Sequence, residues 1–215
     1  CSVAVSRDGE IHEIYLDEQR LHAKHLLGLI GECLSQAGVQ KTDMDAVVWA
    51  RGPGSFTGLR IAAACVQGLA YGLGVPALGV SSLLALVLRA PRQNNAESRI
   101  WVGLDARMGE AYTATWQADF ESWIFTPIDN ERLQAFATLQ LPAECDIYLG
   151  NALLLIETAS LNGLVVPDVQ IHASDLLRLP QAYLQGMQSR SRQVEPVYLR
   201  RADAWKKMQS NTSLR

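Results

Sequence analysis

The sequence is short of the residues that carry covalent or metal chemistry. Its 215 residues include only four cysteines and four histidines. Cys1, Cys33, Cys65 and Cys145 lie far apart, with no C-x-x-C pair and no metal-ligand spacing. This excludes a zinc ribbon or disulfide scaffold and fits a reduced, cytoplasmic setting. No run of about 18 apolar residues occurs, so no membrane-spanning helix is expected, and no signal-peptide pattern is visible. The net charge of −3 excludes bulk attraction to nucleic acid. Basic residues gather only near the end, at Arg200, Arg201, Lys206, Lys207 and Arg215, where a solvated terminus is a simpler reading than an RNA site. His22 and His25 share a helix face but lack the acid of an H-E-x-x-H metal pattern. Trp49, Trp101, Trp116, Trp123 and Trp205 are scattered and form no stacking platform. No histidine pairs with a nucleophile, so no catalytic residue, cofactor or metal is expected.

A foldable core is present, with 48% hydrophobic and 19% charged residues. The length suits one large domain or two small ones. Cys1–Ser6 and Ile11–Leu16 are alternating strands joined through Asp8-Gly9, a turn pair that tolerates positive φ. A helix is expected over Leu21–Ala37, a buried strand over Ala46–Ala50, and a glycine-rich loop followed by a helix over Thr57–Leu73. Val75–Val80 is a second buried strand, and Ser81 caps a helix to Arg89. The polar Pro91–Ser98 is the best linker. Strands follow near Arg99–Asp105, Glu110–Gln117 and Trp123–Ile128, then a helix near Asn130–Ala137, a strand at Asp146–Leu149 and a helix from Asn151. Ser174–Ser189 reads as a helix and Pro196–Arg200 as extended.

Each half thus repeats a strand meander, a helix, a strand and a helix, and the first would match the second fully if one strand preceded Cys1. The pattern predicts a duplicated α/β fold of the actin and sugar-kinase type (ribonuclease H-like) with two lobes. The expected lobes are 1–90 and 99–215, the final helix and tail being able to pack back on the first.

The sharpest local signal is Arg51-Gly52-Pro53-Gly54-Ser55-Phe56-Thr57-Gly58-Leu59-Arg60, between a strand and a helix. Exposed N–H groups and the helix dipole there favour an anion. A Walker A loop requires Gly-Lys-Ser/Thr, and Gly58-Leu59 follows Thr57 here. The spacing of Gly52, Gly54 and Gly58 also fails G-x-G-x-x-G. The candidate cofactor positions are Gly52, Gly54, Ser55, Gly58 and Asp105. The competing reading is a tight turn for the loop and an Asx turn for Asp105 in Asp105–Glu110 (DARMGE).

The following helix is rich in Ala62, Ala63, Ala64, Gly68, Ala70 and Gly72, so another helix could approach closely. Helix Leu21–Ala37 is apolar over a wide arc, which suggests a second partner beyond its sheet; simple core burial is the alternative.

The segment Arg51–Leu86, DARMGEAY at Asp105–Tyr112, EPVYLR at Glu195–Arg200 and AWKK at Ala204–Lys207 together resemble the TsaB (YeaZ) family of tRNA threonylcarbamoyladenosine biosynthesis. The resemblance implies a two-lobed actin-like fold related to TsaD, the catalytic paralogue. TsaD's metal-binding histidines match Ser82 and Leu86, which cannot hold a metal together. Only Gly150-Asn151 remains near the place of its nucleotide loop. The resemblance therefore implies a non-catalytic, cytoplasmic subunit that supports TsaD together with the ATPase TsaE, is a homodimer when alone, and meets tRNA only indirectly through the complex. The implied interface comprises His22, His25, Leu26, Leu29, Ile30, Cys33, Arg60, Ala63, Ala64, Gln67, Gly68 and Tyr71. The alternative function is an ATP-dependent phosphotransferase or ATPase with Asp105 and the glycine loop at the phosphates; a metallopeptidase fails for want of ligands.

Overall fold

The computed structural model describes residues 1–17, 22–92, 97–180 and 194–200, with side chains from residue 25 onward in the first helix. β1 (Ser2–Arg7) and β2 (Glu10–Tyr15) form an antiparallel hairpin. Its turn is Asp8-Gly9, both at positive φ, as the type I′ geometry demands. α1 (His22–Gln36) packs on this hairpin. β3 (Val47–Gly52) leads through the glycine loop into α2 (Phe56–Leu73), and β4 (Ala77–Ser81) pairs parallel to β3. α3 (Ser82–Val87) starts where the Ser81 hydroxyl accepts hydrogen bonds from Leu83 N and Leu84 N.

The second half centres on a mixed sheet. β5 (Glu97–Arg107), β6 (Glu110–Asp119) and β7 (Ile124–Pro127) form an antiparallel meander. β9 (Ile147–Leu149) runs parallel to β5, and β10 (Leu164–Val166) parallel to β9. The resulting order is β10-β9-β5-β6-β7, with β8 (Arg132–Ala135) also paired to β6. α4 (Ala173–Leu177) returns to the first half and touches β1, β2 and β3.

Period-2 alternation places opposite faces of this sheet in two cores. Ile100, Val102, Ile147 and Leu149 face one way, where they meet the wholly buried helix α3. Trp101 and Tyr148 face the other, with Ala152 and Leu153. α3 touches β3, β4, β5 and β6 and so ties the halves together. Each fully buried leucine on it contributes about 1.5–3 kcal/mol of hydrophobic stabilisation.

Three expectations change. The helix expected near Asn130–Ala137 is instead strand β8 and a 3-10 turn at Phe136–Thr138. β6 extends past β7 and offers Glu110–Thr113 as a free edge, and pairing with it outweighs local helix propensity. The helix from Asn151 is a single 3-10 segment ending at Leu155. Of the helix expected over Ser174–Ser189, α4 ends at Leu177, and residues 181–193 lie outside the described residues. Strand β10 was not expected. No described helix is long and apolar enough to cross a membrane.

Candidate functional site

The glycine loop is closed from within. Ser55 caps α2, its hydroxyl accepting from Gly58 N at 3.3 Å, while Leu59 N donates to the Ser55 carbonyl at 2.9 Å. Val197 N donates to the Arg51 carbonyl at 2.7 Å. Gly52 has φ +105, and a Cβ placed there would lie 2.7 Å from the Val197 carbonyl oxygen. Only glycine meets both demands. Phe56 packs at a tilt against Tyr198, ring centroids 5.3 Å apart, and lies under the Arg60 guanidinium at 3.9 Å. The N–H groups of Gly58 and Leu59 are committed to the cap and the helix.

The same C-terminal segment reaches the β5–β6 hairpin. Arg107 and Met108 have positive φ, as does Gly109. The Arg200 guanidinium donates to the carbonyls of Ala106 and Arg107, at 3.1 and 3.2 Å, and to the Glu110 carboxylate. Residues 194–200 thus form a strap from the glycine loop to the hairpin, joining the three sequence segments that stood out. Asp105 is used within its own turn: Oδ1 accepts from Arg107 N at 2.7 Å, and Oδ2 pairs with the Arg107 guanidinium at 3.0 Å. Its backbone N–H donates to the Asn151 side chain at 2.8 Å. The five candidate cofactor positions therefore sit in two turns, in which the Ser55 hydroxyl and the Asp105 carboxylate are engaged by residues of their own turns.

Ser82 and Leu86, the positions matched to metal-binding histidines, lie within buried α3. No cluster of three His, Cys, Asp or Glu residues able to hold a metal occurs among the described residues. Burial pushes the thiols of Cys33 and Cys65 up, and that of Cys145 up to about 11, which favours the protonated form.

The expected interface residues divide by direction. α1 packs beside α2. On α2, Arg60, Ala64, Gln67, Gly68 and Tyr71 are all exposed, at intervals of three and four that place them on one face. Tyr71 is 90% exposed. On α1, His25 is exposed, and Leu26 and Ile30 are half-buried. Three assignments are corrected. Cys33 is fully buried, its thiol 3.4 Å from the His12 carbonyl and 3.6 Å from that of Val3, so it packs on the hairpin. Leu29 is buried too, and Ala63 packs with Trp49 and Val66 beneath α2. The sequence period was correct, but these side chains occupy the arc facing the sheet. The side chain of His22 lies outside the described residues. Leu27, 70% exposed beside Gly28, was not among the expected interface residues; its signal was its place in an apolar arc wider than one sheet requires.

The parallel β5-β9-β10 arm, the antiparallel meander and the enclosed α3 define a class: an actin-like mixed α/β fold, here with a closed glycine loop and an open two-helix face. The chain matches the family model described as TsaD, tRNA N6-adenosine threonylcarbamoyltransferase, over residues 16–141. It is 34% identical to a tRNA threonylcarbamoyladenosine biosynthesis protein TsaB of Escherichia coli (strain K12), covering 97% of this chain and 93% of that one. It is 33% identical to the protein of the same name from Haemophilus influenzae, over 97% and 92% of the two chains. The solved structure of YeaZ from Pseudomonas aeruginosa superposes with a TM-score of 0.79 at 32% identity, covering 93% of this chain and 94% of that one. The chain belongs to the TsaB (YeaZ) family.

Proposed function

We propose that this chain is a non-catalytic, cytoplasmic subunit of the machinery that forms threonylcarbamoyladenosine in tRNA. It binds a TsaD-type catalytic paralogue, works with a TsaE-type ATPase, pairs with a second copy when alone, and reaches tRNA through the complex. The two-lobed, duplicated plan with lobes 1–90 and 99–215 belongs to this reading: it makes the chain a relative of its partner, able to offer like helices to like.

One observation supports the reading above others. The outward face of α2 combines small Ala64 and Gly68 with Tyr71, which is 90% exposed in the free chain. Small side chains let a second helix approach closely, while an aromatic supplies apolar area once desolvated. With α1 alongside, carrying exposed Leu27, a bundle could remove the roughly 800 Å² per partner of a standard interface. Preferential binding to the active conformation of the catalytic subunit would raise its population.

The test is reconstitution of tRNA modification from purified TsaD-type and TsaE-type proteins, with and without this chain. Modification is expected only when it is present. Full activity without it, or turnover by this chain alone, would refute the role.

A further inference from the structure

Away from the α1–α2 face, Arg89, Arg92 and Arg178 line a pocket of about 220 Å³ with Phe120 and Trp123. Arg89 and Arg92 follow α3, and Arg178 is the C-cap of α4, so two elements distant in sequence bring these arginines to one pocket. Among the described residues, Asp175 is the one carboxylate within 4.0 Å of these guanidiniums, at 3.6 Å from Arg89 and 4.0 Å from Arg178. It is fully buried, and its Oδ1 accepts no hydrogen bond among the described residues. The pocket lining holds three arginines and no acid; Asp175 is buried against two of them, and Asp119 and Glu121 flank Phe120 on the adjoining turn. The adjoining stretches 93–96 and 181–193 contain no aspartate or glutamate in sequence.

The aromatic wall adds a second kind of contact. The Arg92 guanidinium lies 5.6 Å from the Trp123 ring and 5.9 Å from that of Phe120. Trp123 is half-buried and has φ +54, a conformation tryptophan rarely adopts. Asp119, on the same turn, directs Oδ1 to the N–H groups of Glu121 and Ser122, at 2.9 and 3.0 Å. That acid therefore stabilises the turn that presents the tryptophan.

We infer that this pocket binds a backbone phosphate of RNA, with Trp123 offering its ring to an adjacent base. The guanidinium fork matches phosphate oxygens. The volume is below the roughly 300 Å³ at which small-molecule sites begin, so it suits one phosphate of a long polymer better than a whole nucleotide. Arginine beside an aromatic ring is the pairing used on single-stranded nucleic acid, and Trp123 is the half-buried, more accessible of the two rings here. The choice of RNA rests on the proposed role in tRNA modification, and it adds a direct contact to a chain otherwise expected to meet tRNA only through its complex.

The test is binding of a fluorescein-labelled tRNA transcript to the full chain, alone and with its catalytic partner, across a salt series. Arg92→Ala and Arg178→Ala should each weaken binding about tenfold and flatten the slope of log K against log salt by about 1. Trp123→Ala should weaken binding about fivefold or more with the slope unchanged. Lys41→Ala, outside the pocket, should alter neither. Arg89 is left intact because it is the nearer and less exposed of the two arginines facing buried Asp175, at 3.6 Å against 4.0 Å for Arg178, and melting curves confirm that each variant is folded. Unchanged affinity and slope in the folded Arg92→Ala/Arg178→Ala protein would overturn the site. Displacement of the transcript by micromolar ATP, or equally by an acidic peptide, would overturn the RNA reading. Complex formation with the catalytic partner should persist in all these variants, so failure here is distinct from failure of the subunit role.

Discussion

Replacing Gly68 with leucine should push stability and binding in opposite directions. Gly68 is exposed in mid-helix, and a Cβ placed there meets nothing within 4 Å outside its own helix. In the free chain the substitution removes glycine's backbone entropy cost, worth about 0.5–1 kcal/mol. Melting should rise by about 1–4 °C for a chain of this size. In a complex formed through this face, the added side chain must fit where small residues had let a helix approach. Overpacking of that kind costs about 1–3 kcal/mol, or roughly a 5- to 150-fold rise in Kd. Calorimetric titration against the TsaD-type subunit, with a thermal melt of the same sample, measures both. A variant that melts higher and binds unchanged would refute the use of this face. One that melts lower would refute the monomer packing.

Four further outcomes are expected. Gly52→Ala should lose at least about 2 kcal/mol of stability in denaturant titration, because it adds positive-φ strain to a clash with the Val197 carbonyl. Arg200→Ala should cost about 2 kcal/mol, with Arg200→Lys restoring little because an ammonium cannot span Ala106, Arg107 and Glu110; equal stability of wild type and Arg200→Ala would remove the strap's role. Asp105→Ala should leave calorimetric titration with Mg-ATP unchanged; micromolar binding lost in this variant would favour the phosphotransferase. Glu13 and Asp175 should titrate with opposite sign. Burial raises Glu13, but hydrogen bonds from Ser174 and His172 outweigh it and hold the carboxyl low, so its contribution is present at neutral pH and lost as pH falls below about 4.3. Burial raises Asp175 against the pull of its His172 N–H and two arginines, so its penalty is absent below about pH 3.9 and grows as pH rises through the higher folded value. Stability against pH should therefore show Glu13→Gln costing, and Asp175→Asn gaining, at pH 7, with both differences closing in acid.

The elements readable from sequence were those whose signal is local. Ser81 marked a helix start because a side-chain cap is a contact within a few residues. The β5–β6 pair was legible from long alternation around a glycine turn. β8 and β10 were not, because strands of four and three residues take their identity from a neighbouring edge. The strap was hidden for the same reason: Arg51, Arg107 and Arg200 are brought together by the fold, and no spacing encodes it. On α1 and α2, the helical period grouped Ala64, Gly68 and Tyr71 on one exposed face, but it could not show that Leu29, Cys33 and Ala63 point into the core. Of the pocket arginines, Arg89 was read as a helix end, Arg92 as part of the linker and Arg178 as part of a longer helix, since a cluster requires distant segments to meet.

Hydrogen exchange of this chain, free and saturated with the TsaD-type subunit, tests the docking face most directly. Exchange should slow in His22–Gln36 and Phe56–Leu73 and remain unchanged at the β5–β6 hairpin. Protection confined to the hairpin and residues 194–200, with both helices unaffected, would contradict the account.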